Sequence, residues 1–149
     1  MSKKEKILVY GYGNPGRQDD ALGSEFINLT NTWIENNNIL NIQTDCNYQL
    51  NIEDAERISN FDKVFFVDAV ENSIKDFELR SISPSQDVSF STHSVHPAYI
   101  LYMCDKIFDK RPTAFLIQIK GYEWNFMAGM TMRAKKNLYN AFAKFKDYK

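Results

Sequence analysis

Cysteine and histidine are scarce: the chain has two of each in 149 residues. Cys46 and Cys104 stand far apart and form no Cys-x-x-Cys, and His93 and His96 form no His-x-x-x-His, so no local spacing holds a metal tightly by itself. Neither cysteine has the helix-terminal or basic setting of an activated thiolate, and Cys104 reads as a small apolar residue on an inward helix stripe. Long hydrophobic runs are missing too, and nothing approaches a membrane span. Lysines near the start precede only four apolar residues (Ile7 to Tyr10) before glycines begin, too short for a signal-peptide core. The formal net charge is −1, so no global field draws the chain to nucleic acid or an anionic membrane. Lysines cluster at both ends, as solvated termini do. There is no repeat, low-complexity tract or linker. The expectation is one soluble, cytoplasmic domain over residues 1–149, with no nucleic-acid or membrane partner.

What the chain does have is concentrated in Ile7 to Gly23, ILVYGYGNPGRQDDALG. Ile7 to Tyr10 reads as a buried strand. Gly11, Gly13 and Gly16 match the G-x-G-x-x-G spacing of dinucleotide sites, but the sequel argues against a phosphate. Asp19 and Asp20 place negative charge at the entrance of the following helix, where a phosphate needs positive potential. Such charge attracts a cation.

Leu22, Phe26, Leu29 and Trp33 predict a helix that starts near Asp20, with Asp20 as N-cap, and Asn36-Asn37-Asn38 stops it. A second strand runs from Ile39 toward Asp45. Asn51 to Ser59 predicts a short helix capped by Asn51, with Ile52, Ala55 and Ile58 on one side. Lys63 to Val70 is nearly all apolar, as in a central parallel strand covered on both faces. Phe77 to Ile82 alternates like an edge strand. Pro97, Leu101, Cys104 and Phe108 define a helix, Ala114 to Ile119 a buried strand, and Ala134, Leu138, Ala141 and Phe145 the inward stripe of a last helix. The order βαβαβ(β)αβα implies an α/β fold, a three-layer α/β/α sandwich around a mostly parallel twisted sheet.

Ligands of open α/β sheets bind at the carboxyl ends of the strands. There the first strand delivers Asn14, Asp19 and Asp20, and the third delivers Asp68. The segment Phe90 to Pro97 opens a helix nearby. Each residue also has a plainer reading. Asp20 could simply cap, Asp68 could be a polar stop, and either histidine could be a hydrogen-bonded loop residue. Asn14 and Gly16 could shape a turn rather than touch substrate, and Gly23 could permit close helix–sheet packing. Tyr122, Trp124 and Phe126 alternate, as in a strand or a core cover, or as lining for an extended peptide. Taken together, two carboxylates and one histidine form a reasonable set of ligands for a borderline divalent ion, with positions left open for substrate.

Four blocks of the chain resemble the hydrogenase maturation proteases, which trim the C-terminus of the large subunit of nickel–iron hydrogenases. GYGNPGRQDDALG is similar to the family's opening G-x-G-N-x-x-x-x-D-[DE]-x-x-G. FFVDAV resembles its apolar strand ending in Asp-Ala, STHSVHPAYIL its Ser-x-His loop and following helix, and IKGYEWNFMAGMT its late glycine-rich segment. YQLNIEDA resembles a block found in one branch. The matches run in order over nearly the whole chain. The resemblance implies a phosphorylase/hydrolase-like sandwich and an endopeptidase acting on the large-subunit precursor. It implies nickel ligation by Asp20, Asp68 and His93, which would also carry catalysis, with Asn14 and Gly16 toward the substrate. The nickel would arrive in the precursor, and hydrolysis would use water, since the pattern holds no serine or cysteine nucleophile. His96 lies outside this set.

The chain departs from the pattern at Asp45-Cys46-Asn47, where many members have an Asp-Gly-Gly-Thr-like turn. It also departs at Met130 and Thr131, which stand for the usual Leu-Ser. Gly-x-Gly-Asn-Pro-Gly also opens the peptidyl-tRNA hydrolases, but their Thr-Arg-His-Asn block has no counterpart here. A third reading is a non-enzymatic metal- or nucleotide-binding module on the same fold. Precursor cleavage separates it from the protease.

Overall fold

The computed structural model describes residues 4–71, 74–87 and 95–148. Strands are β1 (Ile7–Tyr12), β2 (Ile42–Asn47), β3 (Lys63–Val70), β4 (Phe77–Ile82) and β5 (Thr113–Lys120). Helices are α1 (Leu22–Asn36), α2 (Asp54–Ile58), α3 (Pro97–Phe108) and α4 (Met132–Tyr148), and a 3-10 turn (Gln18–Ala21) leads into α1. The sheet order is β2-β1-β3-β5-β4. All neighbours are parallel except β4, which runs antiparallel to β5 at the edge. This is the α/β arrangement expected from the apolar run of β3 and the alternation of β4.

Side chains of β1 and β3 alternate between two cores. Ile7, Val9, Phe65 and Val67 pack with Leu22 and Phe26 of α1 and with Leu138, Ala141 and Phe145 of α4. Leu8, Tyr10, Tyr12, Val64 and Phe66 pack with Ala55 and Ile58 of α2 and with Ile100, Leu101 and Cys104 of α3. The sheet is therefore covered on both faces, which is why β3 reads as an uninterrupted apolar string. Cys104 is fully buried in the second core.

Some expectations shift. β2 starts at Ile42, and Leu40 is 94% exposed. Ile52 is also exposed, because α2 begins only at Asp54. Tyr122 packs against the first core and Phe126 is exposed, but residues 121–131 form no strand.

β1 and α1 come unusually close. A Cβ on Gly23 would lie 2.4 Å from the Tyr12 carbonyl oxygen, so only glycine permits this contact. Gly23→Ala is expected to cost about 3 kcal/mol, measured by urea unfolding, because all three opposing atoms belong to the Tyr12 backbone and cannot rotate away. A cost below about 1 kcal/mol would mean that α1 can shift freely.

Candidate functional site

The chain leaves β1, turns to one side through α1 to β2, then crosses through α2 to β3 on the other side of β1. The crevice at the carboxyl ends of β1 and β3 is thus a topological switch point, the usual ligand position in open α/β sheets. The β1–β3 ladder ends at Gly11 and Val67. Asp68 is the first residue beyond it and remains paired only with Gln118 of β5.

A cavity of about 290 Å3 opens here, lined by Tyr12, Gly13, Arg17, Asp20, Tyr48, Gln49 and Asp68. Asp20 and Asp68 therefore converge, from the loop after β1 and from β3. The Asp68 carboxyl is pushed up to about 7, first by burial and then by the negative charge of Asp20, with a backbone hydrogen bond from Ala69 acting the other way. A carboxyl so placed can hold or release a proton at neutral pH. His93 lies outside the described residues. Among the described residues, no group of three or more His, Cys, Asp and Glu side chains is placed to hold a metal ion.

The loop that presents Asp20 is built differently from a simple helix cap. The N-cap position of α1 is Ala21, with no side-chain hydrogen bond. The Asp20 carboxylate instead accepts the Asn14 backbone N–H at 2.8 Å, which turns it toward the cavity side of the loop. The Asn14 side chain in turn accepts the Gly16 N–H at 2.9 Å, an Asx turn that shapes Asn14-Pro15-Gly16. Asn14 and Gly16 do not line the carboxylate cavity. Gly13, at φ 138°, admits the sharp exit from β1, and its N–H donates to the Asn47 carbonyl at 3.1 Å. Asp45-Cys46-Asn47 thus closes β2 against this loop, and Asp45 pairs with Arg57 at 3.3 Å.

The paired-aspartate reading needs one correction. Asp19 does not face the cavity. It is fully buried and accepts hydrogen bonds from the Tyr122 N–H at 2.7 Å, the Glu123 N–H at 3.1 Å, and the Thr131 N–H and hydroxyl, both at 2.8 Å. These donors satisfy its charge, so Asp20 alone carries negative charge into the site from this loop. Gln18, at a left-handed φ of 46°, also accepts the Asn125 N–H at 3.0 Å. The Thr131 hydroxyl additionally accepts the Ala134 N–H at 3.2 Å, capping α4. A serine could supply the same hydroxyl.

His96 is the N-cap of α3, and its Nδ1 accepts the Ala98 N–H at 3.0 Å. Burial, and then the charge of Arg80, push its pKa down, in keeping with a neutral acceptor.

Two residues of the cavity were missed by motif reading. Arg17 donates from Nε to the Trp124 carbonyl at 3.1 Å. Tyr12 sits between two motif glycines, beyond the strand read over Ile7 to Tyr10, but β1 extends to it and period-2 alternation puts it on the same face as Asp68. Its phenol is raised well above the ordinary value, first by burial and then by the charge of Asp68, so it keeps its proton at neutral pH.

The same fold recurs in known structures. The NiFe hydrogenase maturation protease HycI from Thermococcus kodakarensis superposes with a TM-score of 0.75 at 18% identity, covering 98% of this chain and 93% of its own. The hydrogenase maturating endopeptidase HybD from Escherichia coli gives 0.72 at 15% identity, covering 94% and 89%. A hydrogenase 2 maturation peptidase from a Thaumarchaeota archaeon gives 0.68 at 13% identity, covering 97% of each chain. The chain has the hydrogenase maturation protease fold. No family model matches the sequence, and no curated protein matches it. The fold is therefore kept at an identity where sequence comparison alone finds little.

Proposed function

We propose that the protein is an endopeptidase that removes the C-terminal extension of a nickel-loaded nickel–iron hydrogenase large-subunit precursor. Residues 1–149 act as one domain, in the cytoplasm. The observation that carries this reading is the convergence of Asp20 and Asp68 in one cavity at the β1/β3 switch point, on a fold shared with maturation proteases.

Two carboxylates and the His93 imidazole would contact the nickel held by the precursor. The donor set suits a borderline divalent ion, and its lack of thiolate suits an ion that the substrate's own ligands already hold. Asp68 has no ion-pair partner among the described residues, so its negative form lacks a local cation that a bound ion would supply. When bound, the ion would polarise the scissile carbonyl or the attacking water. Asp68 would take the proton from that water and return it to the leaving amine. Asp20 is held in place by Asn14, and the Asn14-Pro15-Gly16 turn would guide the peptide along the cavity rim.

The test is to mix purified protein with the precursor, with and without inserted nickel, and follow loss of the extension by mass spectrometry. The expected result is cleavage of the nickel-loaded form only. Equal cleavage of both forms would remove nickel gating, and cleavage of neither would remove the protease reading.

A further inference from the structure

Tyr12 stands out among the residues of the carboxylate cavity because no described residue uses its hydroxyl. The residue is 7% exposed, and its ring rests edge-on against Tyr10 with centroids 6.4 Å apart. No hydrogen bond to its hydroxyl is found among the described residues. Nor is the hydroxyl a buried polar atom without a partner, so it is open to the cavity and not sealed in the core. The neighbouring Tyr10 does not line the cavity, and its phenol is held up by burial and by the charge of Asp54. Tyr12 lines the cavity together with Asp20 and Asp68, one residue before the turn at Gly13. β1 is an interior strand between β2 and β3, and Tyr12 is still paired with Asn47 of β2, so the ring is carried by a rigid element.

We propose that the Tyr12 hydroxyl is a catalytic hydrogen-bond donor that stabilises the oxyanion formed when water adds to the scissile carbonyl. This role rests on the endopeptidase reading above. The water oxygen forms a bond to the carbonyl carbon, the C=O π pair moves to the carbonyl oxygen, and the water proton passes to Asp68. Tyr12 donates its hydrogen bond to that oxygen and keeps its proton. The C=O bond then re-forms, the C–N bond breaks, and the proton held by Asp68 goes to the leaving nitrogen. A donor fixed before the reaction needs no reorganisation as charge develops, and this is where such donors gain their effect. Arg17 also lines the cavity, but it is exposed and its Nε is engaged by the Trp124 carbonyl, so it is the less organised donor.

The experiment is Tyr12→Phe in the full chain, assayed on nickel-loaded precursor with kcat and KM measured separately and thermal unfolding run alongside. Tyr10→Phe is the matched control. The expected result is a kcat about 100-fold lower with KM changed less than about twofold. The melting temperature should be unchanged or higher, because an unpaired hydroxyl contributes nothing to folding. Tyr10→Phe should cleave like wild type. Unchanged kcat in Tyr12→Phe overturns the proposal, as does a marked fall in melting temperature, which would reveal a structural partner for the hydroxyl. Loss of rate in Arg17→Gln with none in Tyr12→Phe would assign the donor to Arg17 and likewise overturn it. If wild type cleaves but Tyr12→Phe is equally fast, only this role falls. If wild type leaves the nickel-loaded precursor intact, the endopeptidase reading falls and this role with it.

Discussion

Asp68→Asn is expected to reduce precursor cleavage by about 1000-fold or more and, at pH 8, to make the protein more stable than wild type. The loss of rate follows from removing the group that takes the proton. The gain in stability follows from the position of its pKa. Burial, then the charge of Asp20, raise the carboxyl from 3.8 to about 7 in the folded protein. The unfolded chain therefore binds fewer protons than the folded one between those values, and stability falls as pH rises through that window. The rise corresponds to roughly 4 kcal/mol as an upper bound. A gain of about 1–3 kcal/mol at pH 8 is the realistic expectation for the asparagine variant, which lacks the uncompensated charge. Urea unfolding of both proteins from pH 4 to pH 8 tests it. The difference should grow steadily with pH, and a pH-independent difference would show that Asp68 has its ordinary pKa. Together the two results would mean that the site holds Asp68 for chemistry at a cost to folding.

Asp19→Ala should do the reverse, damaging the fold before any chemistry. The buried carboxylate accepts four hydrogen bonds from residues 122–131. Truncation would leave three backbone N–H groups and a hydroxyl without their acceptor inside the protein. A loss of about 3–5 kcal/mol is expected, since removing one side of a buried charged network strands the other. Hydrogen exchange should quicken at the amides of Tyr122, Glu123 and Thr131 while β1 and β3 stay protected. Uniform exchange across the sheet, or a loss under about 1 kcal/mol, would contradict this. The neighbouring carboxylates of one motif thus separate experimentally: loss of Asp19 should lower stability, whereas Asp20 lines the cavity.

The sequence conveyed the sheet well, and the reasons are specific. β3 is covered on both faces and β4 on one, so one reads as a continuous apolar string and the other as alternation. The stripe of α4 was equally clear, since Ala134, Leu138, Ala141 and Phe145 are all fully or nearly fully buried. The loop between β1 and α1 was harder. Its shape depends on an Asx turn at Asn14, a left-handed Gln18 and a 3-10 turn, and none of these has a periodic signature. The plainer reading of Asp20 as a cap therefore could not be set aside from sequence, although its carboxylate reaches back to Asn14 and the N-cap is Ala21. Asp19 looked like a second site carboxylate because its donors come from more than a hundred residues later in the chain. Tyr12 was hidden for another reason. Its neighbours are glycines, and pattern reading assigned the whole stretch to backbone geometry.

That separation between Asp19 and its donors sets the order in which a newly made chain can become functional. β1, α1 and β2 all lie within the first 47 residues and can associate while the rest is still being translated. The loop bearing Asp20 cannot be locked then, because the groups that anchor its neighbour are still inside the ribosome. Only after Thr131 has emerged does the buried carboxylate find its full set of partners. The nascent protein therefore carries the β1–α1–β2 unit early and the anchored form of its cavity loop late.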